Sequence, residues 1–116
     1  MTESPIHRNT LEELVSTTDA AFVNELIDTF LDDAPSLLDS LRSALASQDA
    51  EGFRRAAHSL KSNAATVGAM ALSASAKELE MAGKSGDLAG TDSRIDELQE
   101  EFAGVKQALK DFQNES

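Results

Sequence analysis

His58 lies in a stretch of sequence that could support nucleophilic chemistry. Its helical neighbours at three and four residues are Arg54, Arg55, Lys61 and Ser62, so cations and a small hydroxyl would surround the imidazole. A neutral imidazole keeps a lone pair on one ring nitrogen and can act as a nucleophile. Lys61, one helical turn away, could neutralise a phosphoryl group on that ring through charge-assisted hydrogen bonds. An exposed histidine is more often only a solvated polar residue, so the pattern alone leaves both interpretations open.

The distribution of charge separates this segment from the rest of the chain. The 116 residues carry a formal charge of −11. Between Glu51 and Glu78, however, the sequence has no acidic residue and four cations, which are Arg54, Arg55, Lys61 and Lys77. The overall negative charge and the absence of Trp and Tyr oppose binding to nucleic acid, and the charge also disfavours anionic membranes. We therefore expect a locally positive segment in an acidic protein, with no nucleic-acid or membrane partner.

Several kinds of catalytic site are excluded by missing residues. The chain has no Cys, so a disulfide framework, a thiolate metal site and a thiol nucleophile are all ruled out. It also lacks the glycine-rich nucleotide-binding motifs, the G-x-S-x-G motif and the H-E-x-x-H motif. A di-iron bundle needs Glu three residues before His, but Ser4 and Arg55 occupy those positions. The sequence predicts no nucleotide site, no metal site and no bound cofactor.

The elements that would position His58 are predicted to be helices. Apolar residues recur every three or four positions, and we identify no strand. We predict a short helix at 11–15, a long one from a cap at Thr18 or Asp19 to about 47, and three more at about 49–68, 69–82 and 91–112. Pro35 should either bend the long helix or divide it into two. All five Phe residues are predicted to face the core, and His58, about 100° round the helix from inward-facing Ala57, should face outward.

This pattern favours an all-α fold, an antiparallel four-helix bundle with a short additional N-terminal helix. The length suits a single domain over residues 1–116 with a core at about 11–112. No apolar run approaches the ~20 residues that span a bilayer, and the N-terminal residues lack a signal-peptide pattern. We expect a cytoplasmic monomer.

The segment from Ala57 to Ala69, AHSLKSNAATVGA, resembles the signature of the histidine-containing phosphotransfer (Hpt) domain family. The signature runs A-H-x-L-K-G/S, then small residues, then G-A, with a downstream L-E that Leu79-Glu80 matches. The segment from Phe30 to Pro35 and the Gly86-Asp87 turn also resemble the family. The resemblance covers about residues 11–112.

The resemblance implies specific roles for the residues around the histidine. His58 would accept the phosphoryl group, Lys61 would stabilise the phosphorylated form, and Gly68 would end the histidine helix. Many relatives have Gly where this chain has Ser62, whose hydroxyl could hydrogen-bond the phosphoryl oxygens. Some relatives have a Gln that contacts the histidine at the position of Glu80.

Two of these positions leave alternatives open. Glu80 could hold the proton of one ring nitrogen and orient the other for attack, but it could also repel an incoming phosphate. Arg55, one turn before His58, could contribute to phosphoryl stabilisation or to docking.

The family relays phosphoryl groups, so the resemblance implies a phosphoryl carrier without a nucleotide site rather than an enzyme. His58 would take the group from an aspartyl phosphate of a receiver domain and pass it to the aspartate of another receiver. The partners would be receiver domains of response regulators and hybrid histidine kinases, and Mg²⁺ would be bound by the receiver. The alternatives are a non-catalytic helical adaptor bundle that binds receiver or kinase domains and, less favoured, an acid-rich metal-binding bundle.

Overall fold

The computed structural model describes residues 5–115, and in this range it contains five α-helices and no strand. The helices are α1 (Arg8–Thr17), α2 (Ala20–Ala46), α3 (Ala50–Thr66), α4 (Met70–Ser85) and α5 (Thr91–Asn114). The prediction of an all-helical chain is confirmed, and α1 is longer than the predicted segment at 11–15.

Helix α2 passes through Pro35 as one element. Proline removes one backbone hydrogen bond, but its ring is exposed here, and Ala34 beside it is buried in the core. Packing on both sides of this point therefore holds the helix together. Asp19 caps the helix by accepting a hydrogen bond of 2.7 Å from the backbone N–H of Phe22. Of the two alternatives for this segment, the structure has a single helix.

The buried face of α2 differs by about one residue from the one that apolar periodicity predicts, which consists of Phe22, Leu26, Phe30, Leu37, Leu41 and Leu45. Phe22 is 43% exposed, so the prediction that all five Phe residues face the core is wrong. Leu26, Leu37 and Leu45 are only partly buried. The sequence has apolar neighbours in pairs along this helix, and the inner member of each pair could not be chosen from periodicity alone. The core residues of α2 are Val23, Ile27, Phe30, Ala34, Leu38, Leu41 and Ala44.

The helices pack in a ring in which α2 contacts α3, α3 contacts α4, α4 contacts α5, and α5 contacts α2. Helix α1 packs against α2. Between the neighbouring helices α2 and α5, Phe30 and Phe102 form an edge-to-face pair with ring centroids 5.8 Å apart. Arg42 links α2 to α5 by reaching Asp96 and Gln99, although these side chains are largely exposed and such pairs contribute little stability. The core therefore carries most of the stability.

Helix α3 ends in a Schellman motif at Gly68. The N–H of Ala69 donates to the carbonyl of Ala64 at 2.9 Å, and the N–H of Gly68 donates to that of Ala65 at 3.1 Å. Gly68 has a φ of +79°, and a Cβ there would lie 2.8 Å from the carbonyl oxygen of His7. The carbonyl of Gly68 also accepts a hydrogen bond of 2.6 Å from the N–H of His7. Gly68 thus lies where the histidine helix ends and where the segment leading into α1 is anchored.

Helices α3 and α4 lie close together at Gly83. A Cβ added to Gly83 would lie 2.8 Å from both Cα and Cβ of Arg54 and 2.9 Å from its backbone nitrogen. Because two of these are backbone atoms, no side-chain rotation could relieve the overlap. Gly83 lies three residues after Glu80, so it also sets the distance between α3 and the part of α4 that faces His58.

We predict that Gly83→Ala destabilises the protein by about 1–3 kcal/mol, because α3 and α4 must move apart to accept the methyl group. Urea unfolding followed by circular dichroism measures this. Gly104→Ala is the matched control on α5. Its Cβ would lie 3.7 Å from Pro5, an ordinary contact, so the helix propensity of Ala should make that variant equal to or more stable than wild type. Equal stability of Gly83→Ala and Gly104→Ala would contradict the close approach.

Candidate functional site

His58 lies on the outer side of α3, and its side chain is 55% exposed. Ala57 and Leu60 on the same helix are buried and fix the rotation of α3. The outward position predicted from helical phase is confirmed. More than half of the imidazole is thus open to an approaching partner.

Glu80 of α4 presents a buried carboxylate to His58. Its side chain is only 5% exposed, and its Oε2 lies 2.7 Å from Nδ1 of His58. Its other oxygen, Oε1, accepts a hydrogen bond of 2.6 Å from Nζ of Lys61, whose side chain is 28% exposed. Both oxygens of this buried acid therefore have a partner on α3. We call His58, Lys61 and Glu80 the histidine cluster.

A further hydrogen bond holds α3 and α4 together beside the cluster. The hydroxyl of Ser73 on α4 donates to the backbone carbonyl of Lys61 at 2.9 Å. Ser73 lies seven residues before Glu80, two turns along the same side of the helix. The backbone of Lys61 and the position of its ammonium are therefore both tied to α4.

The partners of Glu80 keep it ionised. The hydrogen bond from Lys61, followed by that from His58, lowers the pKa of the Glu80 carboxyl from its ordinary 4.5 to about 2, although burial acts in the opposite direction. At neutral pH the side chain is a carboxylate, which can only accept hydrogen bonds.

The charge of Glu80 decides which nitrogen of neutral His58 carries the proton. A carboxylate at 2.7 Å from Nδ1 requires that Nδ1 donate, since two lone pairs at that distance would repel each other. In the neutral ring, the proton is then on Nδ1 and the lone pair is on Nε2. The geometry therefore leaves Nε2 as the ring atom with an available lone pair.

The remaining predicted site residues lie outside the histidine cluster. Ser62 and Arg55 are exposed on α3, one turn after and one turn before His58, and the hydrogen bond that the imidazole makes goes to Glu80 instead. Gly68 lies ten residues beyond His58, about 15 Å along the helix axis, and so has no contact with the site. Its contribution is to the end of α3.

The cations around His58 are more fully paired than the sequence suggested. Lys61 binds Glu80, and Arg54 binds Glu51 one turn earlier on its own helix. Arg55 forms no ion pair with any residue between 5 and 115. The sequence did not predict the Lys61–Glu80 pair. Lys61 was expected to bind a phosphoryl group on His58, but in the structure it already binds a carboxylate. The signal was available, because Glu80 is in phase with the buried residues Leu72, Ala76 and Gly83 of α4.

The described part of the chain has neither a metal-binding cluster nor a membrane-spanning helix. Residues 5–115 contain no group of three or more His, Asp or Glu side chains that could hold a metal ion. None of the five helices is both long enough and apolar enough to cross a membrane.

Comparison with known proteins supplies the family. The sequence model of the Hpt domain matches residues 25–108, a range that includes the whole histidine cluster. This chain belongs to the Hpt domain family. Its structure is also similar to the crystal structure of histidine-containing phosphotransfer protein B (HptB) from Pseudomonas aeruginosa PAO1. The TM-score is 0.91 at 30% sequence identity, with 99% of each chain covered. The comparison with curated proteins gives no match.

The resemblance inferred from the segment around His58 is thereby confirmed. Proteins of the Hpt domain family are phosphoryl carriers in phosphorelays rather than enzymes in the usual sense, and they interact with receiver domains of two-component systems.

We predict that Glu80→Gln lowers the stability of this Hpt domain, and that the loss depends on pH. Because the pKa of Glu80 in the folded protein is below its ordinary value, ionised Glu80 stabilises the fold above about pH 4.5, and this contribution disappears as the pH falls towards 2. The difference in unfolding free energy between wild type and variant should therefore be constant near neutrality and shrink in acid.

Urea unfolding at a series of pH values tests this difference. Glu78→Gln is the matched control on α4, because Glu78 forms an ion pair with Arg94 that is largely exposed on both sides. That variant should differ little from wild type. A Glu80→Gln loss that stays the same from neutral to acidic pH would show that the carboxylate is not stabilised by its partners.

Proposed function

We propose that this Hpt domain protein carries a phosphoryl group on Nε2 of His58 and transfers it between the aspartates of two receiver domains. The observation that supports this most directly is the hydrogen bond of 2.7 Å between Nδ1 of His58 and the buried carboxylate of Glu80, which leaves Nε2 unprotonated. In this proposal the protein acts as a cytoplasmic monomer, and α2 to α5 form an antiparallel four-helix bundle with α1 as an additional N-terminal helix.

In the forward step, the Nε2 lone pair attacks the phosphorus of a receiver's aspartyl phosphate. A nitrogen–phosphorus bond forms, the bond from phosphorus to the aspartate oxygen breaks, and the aspartate leaves as a carboxylate. The imidazole then carries a phosphoryl group on Nε2 and a proton on Nδ1, so the ring is positively charged. Glu80, already an acceptor for that proton, stabilises the positive ring without moving.

The same proton favours the return step. When a second receiver's aspartate attacks the phosphorus, Nε2 must leave with the bonding electrons. With Nδ1 protonated, the leaving group is neutral imidazole, whereas loss of that proton would require an imidazolide anion to leave. Glu80 thus supports transfer in both directions, as a carrier requires.

Lys61 has the position and the donors to stabilise the phosphoryl group. It lies one turn after His58, and an ammonium has three N–H donors, only one of which the structure shows bound to Glu80. The phosphoryl group adds a charge of about −1.5 to −2 beside a carboxylate. Lys61 can bind the two anions at once and so offset their repulsion, and the hydroxyl of Ser62 and the guanidinium of Arg55 flank the same side of α3.

The remaining components are assigned to the partner. Phosphoryl transfer between aspartate and histidine needs positioning and neutralisation of the moving charge, and we propose that a Mg²⁺ bound by the receiver supplies the neutralisation. The partners would be receivers of response regulators and of hybrid histidine kinases. This chain would then need no cofactor of its own.

We predict that a phosphorylated receiver domain with Mg²⁺ labels the wild-type protein, and that His58→Gln abolishes this labelling because no nucleophile remains. His7→Gln is the matched control, since it removes the other histidine of the chain and should be labelled like wild type. The adduct should be stable in base and labile in acid. Persistent labelling of His58→Gln would remove the central claim.

We predict that Lys61→Ala slows transfer by about 10- to 100-fold, the cost of one charge-assisted hydrogen bond to the phosphoryl group. The helical circular dichroism spectrum should stay unchanged. Time courses of phosphoryl transfer, quenched at intervals and run at a saturating concentration of the receiver, measure the rate. Wild-type rates in Lys61→Ala would contradict the proposed role.

A further inference from the structure

Helix α4 has an outer face with exposed methionines. Among residues 5–115, three large hydrophobic side chains are exposed, and two of them are Met70 (48%) and Met81 (53%) on α4. They are eleven residues apart, which is three helical turns, so they lie on the same side of the helix. Lys77 and Lys84 lie between them and one turn beyond, on the same side. We call Met70, Lys77, Met81 and Lys84 the α4 face.

The two lysines of the α4 face are positive charges that are not bound to an acid among the described residues. Both are exposed, and neither forms an ion pair with any residue that the structure describes. The nearest acid on the outer side of α4, Glu78, is bound to Arg94 of α5. In a chain with a net charge of −11, the face therefore combines unpaired positive charge with exposed apolar area.

The α4 face is continuous with the histidine cluster. Lys77 lies three residues before Glu80, Met81 directly after it and Lys84 four residues after it. Residues three and four apart on a helix are neighbours, and the carboxylate of Glu80 contacts His58. A partner that covers the exposed imidazole from the α4 side would also cover these residues.

We propose that the α4 face binds an acidic, partly apolar surface of the receiver domain that docks on His58, and that it contributes to the choice of receiver. The inference rests on the proposed function. Complementary charge speeds the encounter and discriminates between partners. Methionine is flexible and polarisable, which suits a surface that must pack against more than one receiver in a relay.

The test uses the full chain and a panel of purified receiver domains from the source organism, phosphorylated with phosphoramidate and Mg²⁺. The comparison uses the receiver from which wild type accepts the phosphoryl group best. At low salt, the double variant Lys77→Glu/Lys84→Glu should need about tenfold more of this receiver than wild type to reach half of its maximal transfer rate. The rate at saturation should stay close to that of wild type. In about 1 M NaCl, where screening shortens the Debye length to about 3 Å, the difference should largely vanish.

Lys106→Glu/Lys110→Glu is the matched control. It makes the same change in charge on exposed residues of α5, a helix that does not pack against α3. It should change the half-maximal concentration by less than about twofold. An unchanged value for Lys77→Glu/Lys84→Glu, or an equal change in the control, would overturn the proposal. Met81→Ser should raise the half-maximal receiver concentration by an amount that does not depend on salt. A half-maximal concentration equal to that of wild type would contradict the apolar part of the proposed contact.

A failure of the α4 face is distinguishable from a failure of the proposed function. If no receiver labels wild-type His58, the proposed function fails, and the docking proposal fails with it. If receivers label wild type and the two lysine variants with the same concentration dependence, only the docking proposal fails. Direct labelling of His58 by phosphoramidate, which releases ammonia as the phosphoryl group moves to the ring, needs no docking. It should be the same in wild type and Lys77→Glu/Lys84→Glu.

Discussion

The site depends on one interaction, the pairing of the buried Glu80 carboxylate with Lys61 and His58. A buried charge is costly unless it is paired and hydrogen-bonded, and here each oxygen has a partner on α3. The pairing constrains the relative position of α3 and α4, because a shift by one turn would separate Glu80 from both Lys61 and His58. Gly83 permits the close approach that this pairing needs, and Ser73 adds a hydrogen bond to the backbone of Lys61.

The same interaction joins stability to chemistry. Lys61 is the largest cause of the low pKa of Glu80, and the ionised Glu80 in turn fixes the proton of neutral His58 on Nδ1. Lys61 thus acts on the histidine before any phosphoryl group arrives, through the carboxylate that both residues contact. The exposed half of the imidazole remains for the partner. In the proposed function, the site would in this way present a prepared nucleophile and leave activation of the phosphoryl group to the receiver.

Much of this arrangement could be predicted from the sequence, for identifiable reasons. The helices follow from apolar periodicity, and the outward position of His58 follows from its phase relative to Ala57 and Leu60. The face of α2 was partly wrong because adjacent apolar pairs such as Phe22 and Val23 fit either rotation, and only packing against α3 and α5 selects one. The Lys61–Glu80 pair joins residues on two helices, so it depends on how closely those helices pack, and sequence spacing alone does not give that distance.

The most direct test of the account is the position of the phosphoryl group on the ring. Long-range ¹H–¹⁵N correlation spectra of the protein, phosphorylated by a receiver domain, report which nitrogen of His58 is bound to phosphorus and which carries a proton. The account predicts phosphorus on Nε2, with Nδ1 protonated and bound to Glu80. A phosphoryl group on Nδ1 would contradict it, since that atom is the one that the carboxylate occupies in the structure.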